Sequence, residues 1–373
     1  MLSFWERESL LKYDVIIVGA GITGLSTAAS LKEKHPDLDV LILERGTLPS
    51  GASTKNAGFA CFGSISELVN DRKVLGDVKM VNLVKRRWDG LQKTITRLGA
   101  AKIGLEQKGG YELLSASNAH HLHDIPKVND LLSVQFENPV FQEVPSKLRD
   151  FRFGKTSHLV YNPYEAQLNT GELIRSLWTY CSQLGVKILT GTSVSSIEQK
   201  EQFVTITSGA LHFSAKAIAL CTNAFSQGLI KEKLDIAPGR GMVMLIKPET
   251  SLPFEGTFHY EEGYYYFRDF NGKIIFGGGR NIAIDEEQTS EFGINEKIEK
   301  KLLEDLRAVI IPGIDFEVEM KWSGIMAFGA SKEPIIRQLD KRTYLGARLG
   351  GMGVALGSLV GEEIATMISQ DHF

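Results

Sequence analysis

The chain has 373 residues, 43% of them hydrophobic and 23% charged, with a formal net charge of -3 at pH 7. That charge balance excludes a nucleic-acid binder or a polybasic membrane-surface protein, both of which need an excess of lysine and arginine. The length exceeds what one growing core accommodates, so two lobes are expected, and no stretch is apolar for long enough to read as a transmembrane helix.

Residues 1–12 read as a short amphipathic lead-in, with Phe4, Trp5 and Leu10 available to pack on the first lobe. Acids stand there where a signal peptide needs a basic start and an apolar run, so the cytoplasm is the expected location. Residues 15–18 form a β-branched apolar run, as expected of a strand buried on both faces. The run leads into Gly19-Ala20-Gly21-Ile22-Thr23-Gly24, the G-x-G-x-x-G spacing, then a helix-forming segment over 25–31 with a small apolar face. A second buried strand over 40–43 ends in Glu44 and Arg45.

Each position has a physical task. Gly19 allows the sharp strand-to-helix turn, Gly21 lets backbone approach a pyrophosphate, and Gly24 lets the helix pack on the sheet. The helix N-terminus offers N–H groups and partial positive charge to phosphates. Glu44, about 20 residues past the last glycine, is placed to accept from ribose hydroxyls, and its charge disfavours the 2′-phosphate of NADP.

Residues 46–63 form a loop dense in small residues, suited to lying against a flat ligand. The fingerprint through Glu44-Arg45, followed by Ser50-Gly51-Ala52-Ser53-Thr54-Lys55-Asn56-Ala57-Gly58, resembles the D-amino-acid oxidase-like superfamily of FAD enzymes. That group includes glycine oxidase, sarcosine oxidase and related amine dehydrogenases. The resemblance implies that Gly51, Ala52, Ser53, Thr54, Asn56, Ala57 and Gly58 contact FAD alongside the fingerprint residues.

Residues 66–98 read as one or two core-facing amphipathic helices, and 109–114 as a strand of the second lobe. His120, His121, His123 and Asp124 cluster, but no second cluster completes a ligand set, so no metal is expected. The three cysteines, Cys61, Cys181 and Cys221, are too scattered for disulfides or zinc and read as buried free thiols. Residues 170–197 read as a helix capped at Thr170, with a stop at Gly185, followed by a buried strand over 186–189. By resemblance Val194 meets the adenine side. The strand over 216–221 ends in Thr222-Asn223, cofactor contacts in the family, although Asn223 stands where relatives carry glycine.

Asn271-Gly272 between two β-patterned runs signals a hairpin. Alternation puts Tyr265 and Phe267 on one face and Tyr264, Tyr266 and Arg268 on the other. In the family this sheet walls the flavin, so Tyr265 is expected to face the ring and Arg280, after the return strand, to anchor an anionic substrate group. Residues 296–310 form a surface helix, and 344–368 repeat the strand, glycine turn and helix arrangement. By resemblance Gly350, Gly351, Met352, Gly353, Val354 and Ala355 make the third FAD contact, at the pyrimidine end.

These features imply a two-lobe α/β flavoprotein. A discontinuous Rossmann-like FAD-binding lobe comprises 1–80, 160–235 and 320–373, and an α+β substrate lobe with a mainly antiparallel sheet comprises 81–159 and 236–319. The expected activity is oxidation of a small amine or amino acid by hydride transfer to flavin N5, with non-covalent FAD. Three departures from the family pattern leave oxygen in doubt as electron acceptor, and a simple α-amino acid in doubt as substrate. No arginine lies in 324–328, Val354 and Ala355 stand where relatives place a basic residue, and Ile275 occupies the position of an oxygen-activating lysine, with Lys273 out of register. Arg240, Arg268, Arg280, Lys332 and Arg348 are the candidate anion anchors, Arg280 ranking first. An FAD-dependent 2-hydroxy-acid dehydrogenase and a flavin-bound protein acting through partner binding are the alternatives.

Overall fold

The computed structural model describes residues 1–373. The β-branched runs Lys12–Val18 and Val40–Leu43 lie side by side in parallel, Val15 opposite Val40 and Val18 opposite Leu43. Leu211–Leu220 adds in parallel on the other side of Lys12–Val18, followed by Thr343–Ala347, with Lys187–Leu189 at one edge and the antiparallel Ile335–Asp340 at the other. Val204–Ser208 and Ser196–Gln199 extend this sheet to eight strands. The edge position explains why Leu189 is exposed, against the expectation of a buried strand there.

Helices Ile22–Lys34, Asp77–Leu98, Thr170–Gln183 and Gly353–His372 contribute to one continuous core with the sheet residues Val15, Ile17, Val40 and Ala217. Ile22–Lys34 and Gly353–His372 approach closely, because a Cβ on Gly361 would fall 2.7 Å from the Thr27 nitrogen. The sheet's other face carries Ile16, Leu41, Phe213 and Leu345 in a second core. Thr170–Gln183 is capped one residue earlier than expected: Asn169 Oδ1 accepts from Gly171 N at 3.0 Å and Glu172 N at 3.1 Å. The segment over 66–98 is two helices, Ile65–Leu75 and Asp77–Leu98, broken at Gly76. Phe4–Leu10 forms a capped helix, but none of its residues is buried. Phe4 and Trp5 pack edge-on against each other, not onto the lobe as expected.

The second sheet also has eight strands, in the order Phe316–Phe328, Ala237–Pro248, Lys273–Gly278, Tyr265–Phe270, Thr257–Tyr260, Gly110–Leu114, His158–Asn162, Gln142–Glu143. Only Thr257–Tyr260 with Gly110–Leu114 is parallel. Asn271 and Gly272 have φ of 50° and 76°, the doubly left-handed geometry of a type I′ turn, which sets the register of that hairpin. Phe316–Phe328 stays paired in this sheet through Phe328, opposite Ala237, so the chain leaves it after Phe328 and not at 320. Helix Glu296–Asp305 covers the face away from the first sheet, over Tyr260, Tyr265, Phe267 and Phe276. No helix is long and apolar enough to cross a membrane.

Candidate functional site

A cavity of about 870 Å³ opens where the parallel strands end and the second sheet turns its other face inward. Val18, Leu43 and Cys221 mark the strand ends, and Gly241, Val243, Tyr266, Gly278 and Gly324 come from the second sheet. Crevices outside the carboxyl ends of parallel strands are where such sheets take ligands.

Gly19, Gly21, Ile22 and Thr23 line the phosphate-sized turn, and the helix behind them has no side-chain cap of its own. Ser53 from the following loop meets that need at one donor only, its Oγ accepting from Ile22 N at 3.0 Å. The other first-turn N–H groups still call for an acceptor, as a pyrophosphate would supply. Glu44 also lines the cavity and is buried. Its Oε2 accepts from Ala20 N at 3.0 Å and its Oε1 from Gly46 N at 2.9 Å, so the same carboxylate ties the turn to the loop. Arg45 lies 3.8 Å over the Phe225 ring at the end where Thr192, Ser193 and Val194 also line the cavity.

Gly51, Ala52, Ser53, Asn56 and Ala57 line the cavity, as do Thr222, Asn223 and the whole run Gly350, Gly351, Met352, Gly353, Val354 and Ala355. Helix Gly353–His372 starts there without a side-chain cap, a second positive helix end. Asn223 adopts φ 49°, the left-handed region that asparagine tolerates best after glycine, and its Oδ1 accepts from Arg348 N at 3.0 Å. That accounts for asparagine where relatives have glycine.

Five expected residues do not line the cavity. Ala20 and Gly24 lie behind the turn, where a Cβ on Gly24 would fall 1.9 Å from the Gly19 carbonyl oxygen. Thr54 turns its hydroxyl to Pro49 O at 2.9 Å, and Gly58 packs on Leu168, with room for no Cβ. Tyr265 is the substantive correction. It stacks on Tyr260 at 4.8 Å beneath helix Glu296–Asp305, away from the cavity. The alternation holds but the face is reversed, and Tyr264 and Tyr266 are the cavity-lining pair. On the helix side Tyr265 and Phe267 pack with Phe258, Phe276, Ile298 and Leu302 in one apolar core.

A family model described as FAD dependent oxidoreductase matches residues 14–367. The chain belongs to that family. The probable oxidoreductase OrdL of Haemophilus influenzae is 23% identical to this FAD-dependent oxidoreductase over 381 residues, covering 96% of this chain and 83% of the relative. Glycine oxidase from Geobacillus kaustophilus superposes with a TM-score of 0.75 at 19% identity, covering 97% and 96% of the two chains. Iminodiacetate oxidase from Chelativorans sp. BNC1 gives 0.78 at 17%, covering 96% and 95%. These structural likenesses establish the mixed two-sheet fold, and the donors and small residues described above fit the family's cofactor.

Of the oxidoreductase's five candidate anion anchors, three are already paired with carboxylates and a fourth lies away from the main cavity. Arg240 makes a forked pair with the buried Glu287, at 2.7 and 3.0 Å. Arg348 pairs with Asp235 and Lys332 with Asp71. Arg268 is buried in a separate small cavity beside Lys108 and Asp269. Arg280 alone lines the main cavity with no carboxylate partner, half-buried and 4.1 Å over the Phe328 ring. Burial holds its pKa below the usual guanidinium value, against Tyr264 and Glu287.

Sequence reasoning missed Phe59, Tyr266 and His259, which line the same wall. It also missed that Cys61, Glu165 and His259, far apart in sequence and all buried, bring potential ligand atoms within 4.8 Å of one another. No local spacing announces such a set; only the pairing of distant strands assembles it.

Proposed function

We propose that this FAD-dependent oxidoreductase oxidises the carbon–nitrogen bond of a small amine or amino acid that carries an anionic group. The observation that carries the reading is Arg280, an unpaired guanidinium in the wall of the cofactor cavity beside Phe328. The solved structures it resembles include a glycine oxidase and an iminodiacetate oxidase, whose named substrates carry carboxylates.

FAD, when bound, supplies a two-electron acceptor that takes a hydride at N5. The fingerprint turn with Ser53 would hold the pyrophosphate, the Arg45–Phe225 and Val194 end would take the adenosine, and Ala57, Val243 and Tyr266 would lie on the side of the ring. Arg280 fixes the substrate's anionic group and so orients the carbon to be oxidised. Phe59, Val243 and Tyr266 form a largely apolar wall that excludes water, and burial raises the Tyr266 hydroxyl to about 12, which keeps it neutral. The unpaired helix end at Gly353 favours negative charge nearby.

The test is an anaerobic screen of the purified yellow protein, following loss of the flavin absorbance band. Carboxylate-bearing amines should bleach it, and denaturation should release FAD. Bleaching by 2-hydroxy acids alone, or recovery of NAD in place of FAD, would overturn the reading.

A further inference from the structure

One wall of the cavity holds a buried charge that substrate anchoring does not use. His259 lies in strand Thr257–Tyr260, opposite Tyr266 on one neighbour and Glu112 on the other. Its ring packs edge-on against Phe59 at 5.1 Å, Phe59 packs against Tyr266 at 5.6 Å, and all three line the cavity. His259 Nε2 lies 3.1 Å from Glu165 Oε2, and the same oxygen accepts from Thr257 Oγ1 at 3.2 Å. Their side chains are only 7% and 2% exposed.

A carboxylate buried this deeply persists only beside a charged partner. Burial works against the imidazolium, but Glu165 outweighs it, helped by Glu67 and Glu112 from neighbouring elements, and lifts His259 to about 9. Cys61, the other titratable neighbour, is pushed up by burial and then by Glu165 and Glu67, so it stays a neutral thiol. The imidazolium's second nitrogen, Nδ1, makes no hydrogen bond within the protein, although the side chain is more than nine-tenths buried. Phe59–Ala60, which brings Phe59 to this wall, packs against helix Gly353–His372. His259 thus shares the wall of Phe59 and Tyr266, which the reading above assigns to the ring.

We propose that the His259–Glu165 pair is a positioning device that holds a fixed positive charge against the ring end of the bound FAD and stabilises its reduced, anionic form. The inference rests on the cofactor placement proposed above. Glu165 neutralises the pair as a whole, yet it lies behind His259, so the cavity meets the imidazolium first. The same three residues, Cys61, Glu165 and His259, offer a donor set for a divalent metal. The ion pair is the favoured state because His259 and Glu165 already satisfy each other.

The experiment uses FAD-loaded wild type, H259Q and E165Q. The ratio of reduced to oxidised FAD is measured at equilibrium with a reference dye from about pH 6 to pH 8, and each variant is compared with wild type at the same pH. H259Q should lower the ratio about tenfold at every pH, the effect of losing one nearby charge in a poorly screened site. E165Q should also lower the ratio, and by more at pH 8 than at pH 6, because burial is then no longer outweighed by Glu165 and pulls the histidine's pKa down. A merely structural pair would not produce that pH dependence. Ratios equal to wild type in both loaded variants overturn the proposal, as does a stoichiometric metal in the purified protein that C61S removes. If H259Q fails to fold or load, the pH profile of E165Q decides alone. A wild-type protein without FAD would instead sink the functional reading, and this inference with it.

Discussion

Arg280→Met is the most direct test of the substrate wall. Methionine keeps an unbranched stem over Phe328 while removing the charge, which lies 4.1 Å from that ring and is hydrogen-bonded to no side chain. A hydrogen bond to a charged group contributes about 1.5–3 kcal/mol. Because the guanidinium is only half-buried, the lower part of that range applies, and 1.4 kcal/mol is a factor of ten. KM for a carboxylate-bearing amine should rise about 10- to 30-fold, measured by steady-state dye reduction. The same assay with an amine of similar size lacking the carboxylate should show no change. An unchanged KM for the carboxylate substrate would refute the anchor. An equal loss for both amines would show that the wall, and not the charge, was disturbed.

Gly21→Val should abolish FAD binding, because even a Cβ there falls 2.8 Å from Ser53 Oγ at the pyrophosphate turn; a fully flavinated variant would contradict this. Acid precipitation should leave a colourless pellet with all FAD in the supernatant, as expected of a non-covalent cofactor. Arg240→Met should destabilise without touching the anchor, since it strands Glu287, only 1% exposed, at a cost of about 3 kcal/mol; thermal unfolding at constant FAD content checks it. The folded protein binds the His259 proton more tightly than the unfolded chain, with a pKa raised from 6.5 to about 9. The stabilisation is therefore complete below pH 6.5 and fades as pH rises through about 9, so the gap in thermal midpoint between wild type and H259Q should close there.

The cofactor half of the cavity was legible because its determinants are local. The strand, the glycines, Glu44 and the second loop lie within one short run, and the Asn271-Gly272 turn fixed a register through backbone geometry alone. The substrate half was not, and Tyr265 shows why. Period-two alternation sorts side chains into two sets, but here both faces of the sheet are covered, one by helix Glu296–Asp305 and the other by the cavity, so hydrophobicity cannot name the inner set. Arg240 and Arg280 look equivalent in sequence; only the fold gives Glu287 to one and a bare cavity wall to the other. His259, Glu165 and Cys61 meet through strand pairings that no spacing encodes.

The helix Gly353–His372 both presents its N-terminus to the cavity and seals the core around Ile22–Lys34. During synthesis, a chain that has not yet reached Gly353 possesses the fingerprint turn and the second sheet but lacks the helix end at the cavity and the cover over Leu25, Ala28 and Ala29. Such a nascent chain has no enclosed site in which to retain FAD, and it exposes an apolar face that invites chaperones or aggregation. Supply of FAD should govern how much of the newly made protein survives to be active, more than how fast it is made.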